Sequence, residues 1–401
     1  MRVDHISFSA SGGAGRVARD IVSAQQQAGV DATFTYLLDS DLVREPLLSP
    51  SVSIAALVDR YLISNGSAET LTSLARGRVS NLKRLKIRED SIINLHWTEG
   101  VISPRDLKNL ESEGRRLYWT MHDMKPLTGF CHHSHNCLDF SNNCGDCPQA
   151  RRIFRPLVAS NLKHKSGLLP SQGALKVIVP SEWMKTKVFQ SSIYSGYEIF
   201  VIPNPLADAF LRKVRRQQSR SDLGLSETSF VGISVAEQLD AKAKRIQESM
   251  DVFFSVTAKL GIESTYVLVG SGGESFASRP GVLHLPTRSS EGVAQAISAA
   301  DVLVSMSLAE SSGMTVLEGA ALGVPSVARR TGGMKESIQN GSTGFLCDGQ
   351  RDLELALTQL VQEPLLGKQL GKEAQRECLR KHSPSAVAAS YILAYGHSGL
   401  G

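Results

Sequence analysis

Short apolar runs that end in small polar turns and lead into amphipathic segments recur along the whole chain. In the first unit, residues 3–8 alternate as a strand, and apolar residues at helical spacing predict a helix over residues 16–28. Further runs of strand length follow in both halves of the chain, at residues 31–37, 92–95, 116–121, 176–179, 199–202, 230–235, 266–269, 282–285, 302–304, 326–328 and 345–347. Strands that alternate with helices are typical of parallel sheets. We therefore expect an α/β fold with two Rossmann-like, doubly wound domains.

The chain length and a proline pair indicate the domain boundaries. At 401 residues the chain exceeds one hydrophobic core of ordinary size, so two domains are expected. Pro203 and Pro205 stiffen the backbone after the last predicted strand of the first half. We therefore predict an N-terminal domain over 1–204, a C-terminal domain over 205–384 and a final helix within 385–401. Residues 51–85 are predicted to be mostly helical.

Composition excludes several classes of protein. Hydrophobic residues make up 42% and charged residues 21%, as in ordinary globular proteins. The sequence has no apolar run long enough to cross a bilayer, and its first residues carry charges early and no long apolar stretch, so we expect no secretory leader and a cytoplasmic protein. The net charge of +5 does not indicate a nucleic-acid partner, and aromatic content of 6% with few rings near the basic clusters argues against one.

Residues 302–322 combine a short strand, a small polar turn at 311–313 and an apolar-rich helix. Such a turn is a natural anion site, because the first N–H groups of the helix and its dipole point at a ligand beyond the strand. Glu310 precedes the turn and Glu318 lies within the helix. A carboxylate beside a phosphate is repulsive, so each is expected to face sugar hydroxyls. The stretch therefore predicts a nucleotide-sugar site.

The two glutamates, with seven residues between them, resemble the E-x7-E signature of the GT-4 family of retaining glycosyltransferases. Other segments in the family's order are 313–315, 323–325, 332–333, Glu336 and 341–345. The resemblance implies a GT-B fold, with two Rossmann-like domains facing across a cleft and a final helix that returns to the N-terminal domain. It also implies sugar transfer with retention from a UDP-, GDP- or ADP-linked donor, without a catalytic metal.

The family's pattern further implies roles for individual residues. Glu318 would bind the nucleotide ribose, and Glu310 would hold sugar hydroxyls and stabilise an oxocarbenium-like state. Residues expected to bind the donor, from this pattern or from glycine turns that admit a ligand, are Gly12, Gly13, Arg16, Gly270, Ser312, Gly313, Met314, Thr315 and Glu318. The glycine loop at 12–16 would face the donor diphosphate or the acceptor.

Two cations usually neutralise the departing diphosphate in this family, an arginine just after the first strand of the second domain and a lysine that precedes a glycine. Here Ala236 and Glu237 stand where the arginine is expected. Lys244 is the residue we assign to the lysine position, although no glycine follows it.

Histidines follow two predicted strands of the first half. His122, in the sequence His-Asp-Met, resembles the family histidine that contacts the donor sugar, and Asp123 is expected to orient its ring. His96 is ranked second, as a structural or acceptor-pocket residue. The catalytic residues expected from the resemblance are thus His122, Glu310 and Lys244.

Four cysteines lie close together, spaced C-x5-C-x6-C-x2-C: Cys131, Cys137, Cys144 and Cys147. Four thiolates satisfy tetrahedral zinc, so the spacing predicts a structural zinc site. Replacement of one cysteine by a nearby histidine, an iron–sulfur cluster, free thiols and disulfides remain open. Together with His-Trp at 96–97, the segment resembles a subgroup of GT-4 enzymes of colanic-acid and exopolysaccharide biosynthesis. That subgroup implies a growing glycan or lipid-linked saccharide as acceptor.

Two basic segments, 76–88 and 151–165, are candidates for peripheral contact with an anionic membrane at the inner face of the plasma membrane. A solvated basic surface is the alternative for both segments. For the whole chain, the rival function is a catalytically weak protein that binds nucleotide sugars or acts as a scaffold, and the missing arginine supports it. A glycosidase would use the same two carboxylates but leaves the phosphate-binding turns without a role.

Overall fold

The computed structural model describes residues 1–38, 63–64, 72–74, 85, 87–98 and 102–396. The chain divides into two compact units. Unit 1 comprises Met1–Pro205 together with Pro384–Gly401, and unit 2 comprises Leu206–Ser383. The predicted helical region 51–85 lies almost entirely outside the described residues.

Unit 1 contains a six-stranded parallel sheet with the order β2-β1-β3-β4-β5-β6. Its strands are β1 (Arg2–Ser9), β2 (Asp31–Leu38), β3 (Ile92–Leu95), β4 (Leu117–Thr120), β5 (Leu175–Val179) and β6 (Ile199–Val201). Its helices are α1 (Gly12–Gln27), α2 (Pro104–Ser112), α3 (Arg155–Gly167), α4 (Glu182–Gln190) and the last helix of the chain. All strands run in one direction, so their carboxyl ends share one edge of the sheet, where α/β folds bind ligands.

Helix α1 begins earlier than its apolar spacing predicts. Ser11 has the extended backbone of an N-cap residue, with φ −100° and ψ 178°, so the helix starts at Gly12. The glycine-rich residues therefore form the first turn of the helix, directly after β1, rather than a separate loop.

Unit 2 contains a second six-stranded parallel sheet, with the order β12-β11-β10-β7-β8-β9. Its strands are β7 (Phe230–Gln238), β8 (Ser264–Ser271), β9 (Val282–Leu285), β10 (Val302–Ser305), β11 (Ser326–Arg329) and β12 (Gly344–Cys347). Its helices are α5 (Asp208–Leu211), α6 (Arg216–Asp222), α7 (Ile246–Lys259), α8 (Glu274–Ala277), α9 (Ser290–Ala299), α10 (Met314–Ala321), α11 (Met334–Ser337), α12 (Gln350–Gln362) and α13 (Pro364–His382).

Strand β10 shows why this sheet is covered on both faces. Leu303 belongs to one apolar cluster, whereas Val302 and Val304 belong to a second cluster. Successive strand residues point to opposite faces, so a continuous apolar run is buried on both sides. The two parallel sheets and their helices confirm the prediction of an α/β fold with two domains.

The last helix, α14 (Pro384–Gly396), belongs to unit 1 and packs against α1. The hydroxyl of Tyr118 on β4 donates to the carbonyl of Ala394 at 2.9 Å, and the rings of Tyr118 and Tyr395 lie 4.8 Å apart. Unit 1 is thus completed by residues from both ends of the chain. Among the described helices, none is both long and apolar enough to cross a membrane.

Candidate functional site

The turn between β10 and α10 forms the candidate anion site of unit 2. Gly313 is the residue before α10 and has φ +66°, a left-handed conformation that glycine adopts at little steric cost. As the N-cap residue, Gly313 has no side chain with which to cap the helix. The turn therefore presents a helix N-terminus, with its positive dipole end, beside the carboxyl end of β10.

Two other turns fix the position of this one. The N–H of Gly333 donates to the carbonyl of Glu310 at 3.0 Å, and a Cβ at Gly332 would lie 1.8 Å from the same oxygen. On the other side, the N–H of Leu308 donates to the carbonyl of Ala243 at 2.9 Å. The glycine pair therefore permits a close backbone approach, and the turn at 242–244 reaches the same loop.

That second contact brings Lys244 to Glu310. The ammonium of Lys244 lies 2.7 Å from Oε1 of Glu310, and the two side chains are 33% and 21% exposed. The charge of Glu310 raises the pKa of Lys244, and that of Glu237 adds to the effect. Because both side chains remain accessible, Lys244 can bind a phosphate in place of Glu310. The carboxylate of Glu310 is then available to a sugar hydroxyl.

Arg245 occupies the position after Lys244 and has the backbone conformation typical of a glycine. Its φ is +55°, in the left-handed region, where glycine is the usual residue. The backbone after Lys244 thus has the conformation that the family's glycine suits. Glu237 is exposed at the end of β7, so an acid stands near Lys244 where the resemblance leads one to expect an arginine.

The other predicted donor residues of unit 2 fall into two groups. Ser312, Gly313, Met314 and Thr315 form the end of the turn and the start of α10, and Glu318 lies one turn further along the helix, partly exposed. Gly270 ends β8, two strands away from β10 in the sheet. A Cβ at Gly270 would lie 1.8 Å from the carbonyl of Ala236, so this glycine permits close backbone packing.

In unit 1, three histidines form a hydrogen-bonded chain across the carboxyl ends of neighbouring strands. Nδ1 of His5 lies 2.8 Å from Nε2 of His96, and Nδ1 of His96 lies 2.9 Å from Nε2 of His122. Consecutive rings lie edge to edge, with their centroids 5.1 and 5.2 Å apart and their planes inclined by 21° and 22°. His5 lies in β1, His96 follows β3, and His122 follows β4, and these strands are adjacent. Sequence reasoning missed His5, whose only local signal is a polar residue in a buried strand.

At its other end, the hydrogen-bonded chain continues from His5 into the helices. Nε2 of His5 lies 3.0 Å from Oε1 of Gln25 on α1. The amide nitrogen of Gln25 donates to the hydroxyl of Tyr395 on α14 at 3.4 Å, and Nδ2 of Asn94 donates to the same hydroxyl at 2.7 Å. Burial lowers the pKa of His5 to about 4 and lowers the pKa of His96 well below its usual value. These rings are therefore neutral at neutral pH.

The prediction that Asp123 orients His122 is wrong. Asp123 accepts from Nδ1 of His132 at 2.7 Å and from the N–H of Lys125 at 2.9 Å, and His96 is the residue bonded to His122. Burial opposes ionisation of Asp123, but His132 outweighs it and lowers the pKa of this carboxyl to about 2. Burial lowers the pKa of His122 to about 4, against the charge of Asp123. The aspartate was the nearer residue in sequence, whereas His96 reaches His122 through strand pairing.

His122 lines a cavity of about 70 Å³ in unit 1. Its wall combines three aromatic side chains with polar and aliphatic groups, among them Trp97, Trp119, Tyr194, His96, Asp123 and Leu169. The indole N–H of Trp97 is buried and has no hydrogen-bond partner among the described residues. Aromatic faces beside hydrogen-bonding groups are suited to a sugar ring, which has apolar faces and a hydroxylated rim.

Gly12, Gly13 and Arg16 lie in the first turns of α1, at the carboxyl end of β1. Gly13 and Arg16 are exposed, and a Cβ at Gly13 would meet nothing within 4 Å. The glycine loop is therefore accessible from solvent at the same sheet edge as the histidine chain.

The four clustered cysteines share one small cavity, but the predicted zinc site is not supported. Cys131, Cys137, Cys144 and Cys147 all line this cavity, and the N–H of Gly129 donates to Sγ of Cys144 at 3.4 Å. Within the described residues, however, no three His, Cys, Asp or Glu side chains are arranged to hold a metal ion. All four cysteines are free thiols. The four sulfur atoms are thus near one cavity, but they do not converge on one point as the ligands of a zinc ion do.

The two basic segments differ in what the structure shows. Most of 76–88 lies outside the described residues, and Arg88 forms salt bridges with Asp4 and Asp31. In 151–165, Arg151, Arg152 and Lys163 are exposed, and Ile153 is 77% exposed. Lys165 instead donates to the carbonyls of Lys125 and Thr128. Only part of the second segment is an exposed basic surface, and within it Arg151 donates to the carbonyl of Ser64 at 3.1 Å.

Comparison with known proteins finds similarity to glycosyltransferases in sequence over part of the chain. Residues 230–363 match the family described as "Glycosyl transferases group 1". N-acetyl-alpha-D-glucosaminyl L-malate synthase of Bacillus anthracis is 27% identical over 187 residues, which cover 44% of this chain and 48% of that protein. D-inositol 3-phosphate glycosyltransferase of Rhodococcus opacus is 33% identical over 126 residues, 29% of this chain and 28% of that protein. The matches thus span about half or less of the length of these two curated relatives.

Solved structures resemble the whole chain at low identity. Sucrose-phosphate synthase from Thermosynechococcus elongatus has a TM-score of 0.65 and 16% identity, covering 99% of this chain and 98% of that one. Anabaena HepE in complex with UDP-glucose has a TM-score of 0.63 and 16% identity, covering 100% of both chains. At this identity the likeness establishes the fold. Residues 230–363 thus match the group 1 glycosyl transferase family, and the chain has the two-domain GT-B fold.

Proposed function

We propose that the protein is a glycosyltransferase that moves a sugar from a nucleotide-sugar donor to a growing glycan or lipid-linked saccharide. The observation that carries this proposal is the Lys244–Glu310 pair, held 2.7 Å apart beside the N-terminus of α10. A cation and a helix N-terminus suit a diphosphate, and the paired carboxylate suits a sugar hydroxyl. Two adjoining turns thus supply complementary groups for both halves of a nucleotide sugar.

Departure of the nucleoside diphosphate leaves negative charge on its terminal phosphate. Lys244 and the backbone N–H groups around 312–315 stabilise that charge in the transition state. Glu310 holds hydroxyls of the transferred sugar and stabilises positive charge at its anomeric carbon. Glu318, further along α10, binds the ribose. Retention of anomeric configuration and catalysis without a metal are parts of the proposal that rest on the GT-4 resemblance.

UDP is the nucleotide we propose first. The Anabaena HepE structures, which share the fold, were solved with UDP or UDP-glucose. GDP- and ADP-linked sugars are the competing donors. The unit 1 cavity, with its aromatic wall and His122, is the proposed site for a saccharide. Extracellular polysaccharide biosynthesis as the setting, and membrane contact through the exposed part of 151–165, rest on the subgroup resemblance and on exposed basic residues.

Calorimetric titration with UDP-, GDP- and ADP-sugars tests the donor site. We expect one donor to bind the wild type with saturation and the Glu318→Ala variant at least tenfold more weakly. Glu363→Ala is the matched control, because Glu363 is exposed at the start of α13, away from the turn. Equal binding by both variants would remove Glu318 from the site, and absence of binding by any donor would contradict the proposal.

A nucleotide-sugar-binding protein without turnover is the second candidate. Glu237 favours it, because an acid near Lys244 works against a departing diphosphate. Saturable donor binding combined with no transfer to any saccharide and no donor hydrolysis would decide for this candidate.

A further inference from the structure

The histidine chain of unit 1 has a direction, which the Gln25 side chain sets. The amide nitrogen of Gln25 faces the Tyr395 hydroxyl, so its oxygen faces Nε2 of His5. An amide oxygen only accepts hydrogen bonds, and Nε2 of His5 is therefore the protonated nitrogen. A neutral imidazole carries one N–H, so Nδ1 of His5 is an acceptor.

The same donor and acceptor rule then fixes the tautomers of His96 and His122. Since Nδ1 of His5 accepts, Nε2 of His96 must donate to it across 2.8 Å. Nδ1 of His96 is then bare, and Nε2 of His122 must donate to it across 2.9 Å. Nδ1 of His122 remains as an unprotonated acceptor, and no hydrogen bond to it occurs among the described residues.

The tautomer assignment requires that the histidine rings are neutral, and burial keeps them neutral. His5 and His96 are essentially inaccessible to solvent, at 0% and 2% exposure. The backbone of His96 is held as well, because the indole of Trp119 donates to its carbonyl at 3.0 Å. Both rings are therefore fixed in position and in tautomer. His96 and His122 both line the cavity, but both ring nitrogens of His96 are used within the histidine chain, so His122 is the member with a ring nitrogen left for a ligand.

We propose that Gln25, His5 and His96 are positioning residues that hold His122 as the Nε2-protonated tautomer, so that its Nδ1 accepts a hydrogen bond from a sugar hydroxyl. The tautomer assignment stands on unit 1 geometry alone, whereas the identity of the ligand rests on the proposed function. His122 thus acts as a fixed hydrogen-bond acceptor rather than as an acid or a cation.

The tautomer can be read directly by NMR on the full-length protein with ¹⁵N-labelled histidine. Long-range ¹H–¹⁵N correlation separates protonated from bare ring nitrogens, and His122→Gln identifies the signals of His122. We expect His122 protonated at Nε2 and bare at Nδ1. Protonation at Nδ1 would mean that the Gln25 amide is reversed and the whole chain runs the other way, which would overturn the inference.

Variants at position 25 test the direction without removing a histidine. Gln25→Glu keeps an acceptor and should keep the wild-type tautomer of His122. Gln25→Met has a similar shape but no acceptor, so we expect both tautomers of His122 to appear and kcat/KM to fall roughly tenfold. Gln27→Met is the matched control on the exposed face of α1. A tautomer unchanged in Gln25→Met would show that Gln25 does not set the direction.

Addition of three different ligands to the labelled protein tests this inference separately from the proposed function. UDP alone, UDP-glucose and a neutral oligosaccharide are each added to the labelled protein. A shift of the His122 Nδ1 signal with UDP-glucose but not UDP assigns the ligand to the donor sugar, and a shift with the oligosaccharide assigns it to the acceptor. No shift with either sugar, while calorimetry shows that UDP-glucose binds, would remove the sugar hydroxyl as ligand and leave the donor site intact.

Discussion

The ammonium of Lys244 lies 2.7 Å from a carboxylate oxygen of Glu310, although the two residues sit on different turns 66 positions apart. The backbone contact from Leu308 to Ala243 holds those turns together. Because the pair is fixed by main chain and remains partly exposed, it can bind an anion without rearrangement of the loop. Most predictions for unit 2 follow from this pair.

Lys244→Met is expected to lower kcat roughly 10²–10³-fold, because it removes a preorganised charge from the departing diphosphate. Steady-state kinetics with the donor identified by titration measures the effect. Lys242→Met is the matched control, since Lys242 is exposed in the same short turn. Equal losses in the two variants would show that general positive charge, rather than Lys244, matters.

Glu237→Arg is expected to tighten UDP binding roughly tenfold at low ionic strength, because it replaces an acid near Lys244 with a cation. The gain should shrink as salt is added, since exposed charges are screened. Glu263→Arg, which makes the same charge change before β8, is the control. An unchanged dissociation constant in Glu237→Arg would place residue 237 outside the range of the diphosphate.

The buried histidines predict how unit 1 responds to acid. Burial lowers the pKa of His5 and of His122 from 6.5 to about 4, against Asp4 and Asp123 respectively. Between these values the unfolded chain binds protons that the folded chain does not, so the free energy of unfolding falls as pH falls. We expect a loss of roughly 1.4 kcal/mol per pH unit for each ring, from about pH 6.5 to about pH 4.

Denaturant unfolding across that window, followed by the tryptophans of unit 1, measures the slope. His5→Gln should make the slope shallower, whereas the control His164→Gln, at an exposed position on α3, should not. A pH-independent free energy of unfolding would contradict the assignment of neutral buried rings.

The cysteine cavity gives a prediction about reactivity and metal content. Burial raises the pKa of Cys131 to about 12 and that of Cys144 to about 11, so both are neutral thiols at pH 8. We expect slow alkylation of these two in the native protein, rapid alkylation in denaturant, and no change of melting temperature on chelation. Stoichiometric zinc that resists dialysis, with loss of stability in chelator, would contradict this and restore the metal site.

The strand–turn–helix geometry around Gly313 could be predicted from sequence because its signals are local. Glu310, Gly313 and Glu318 lie within one strand–turn–helix unit, and the spacing of eight positions between the two glutamates fixes their relative placement. The ion pair of Lys244 with Glu310 is not local in sequence, and the role assigned to each residue did not predict it. The left-handed backbone of Arg245 could not be foreseen either, since any residue but glycine is unusual there.

The histidine chain could not be predicted, because it depends on strand register. His5 and His96 are 91 positions apart, and they meet only because β1 pairs with β3. The nearest acid in sequence, Asp123, misled the assignment of the partner of His122. The predicted zinc site is a different case, because there the signal was local. The spacing of the cysteines suggested a metal, but spacing does not specify the distances between sulfur atoms.

The return of α14 to unit 1 has a consequence for how the protein is made. The N–H of Leu206 donates to the carbonyl of His382 at 2.9 Å, so the two ends of unit 2 are joined side by side. On the ribosome, unit 2 is a continuous segment that can fold as soon as it emerges, whereas unit 1 lacks Tyr391 and Tyr395 until α14 is synthesised. The half that is translated first is therefore the half that is completed last.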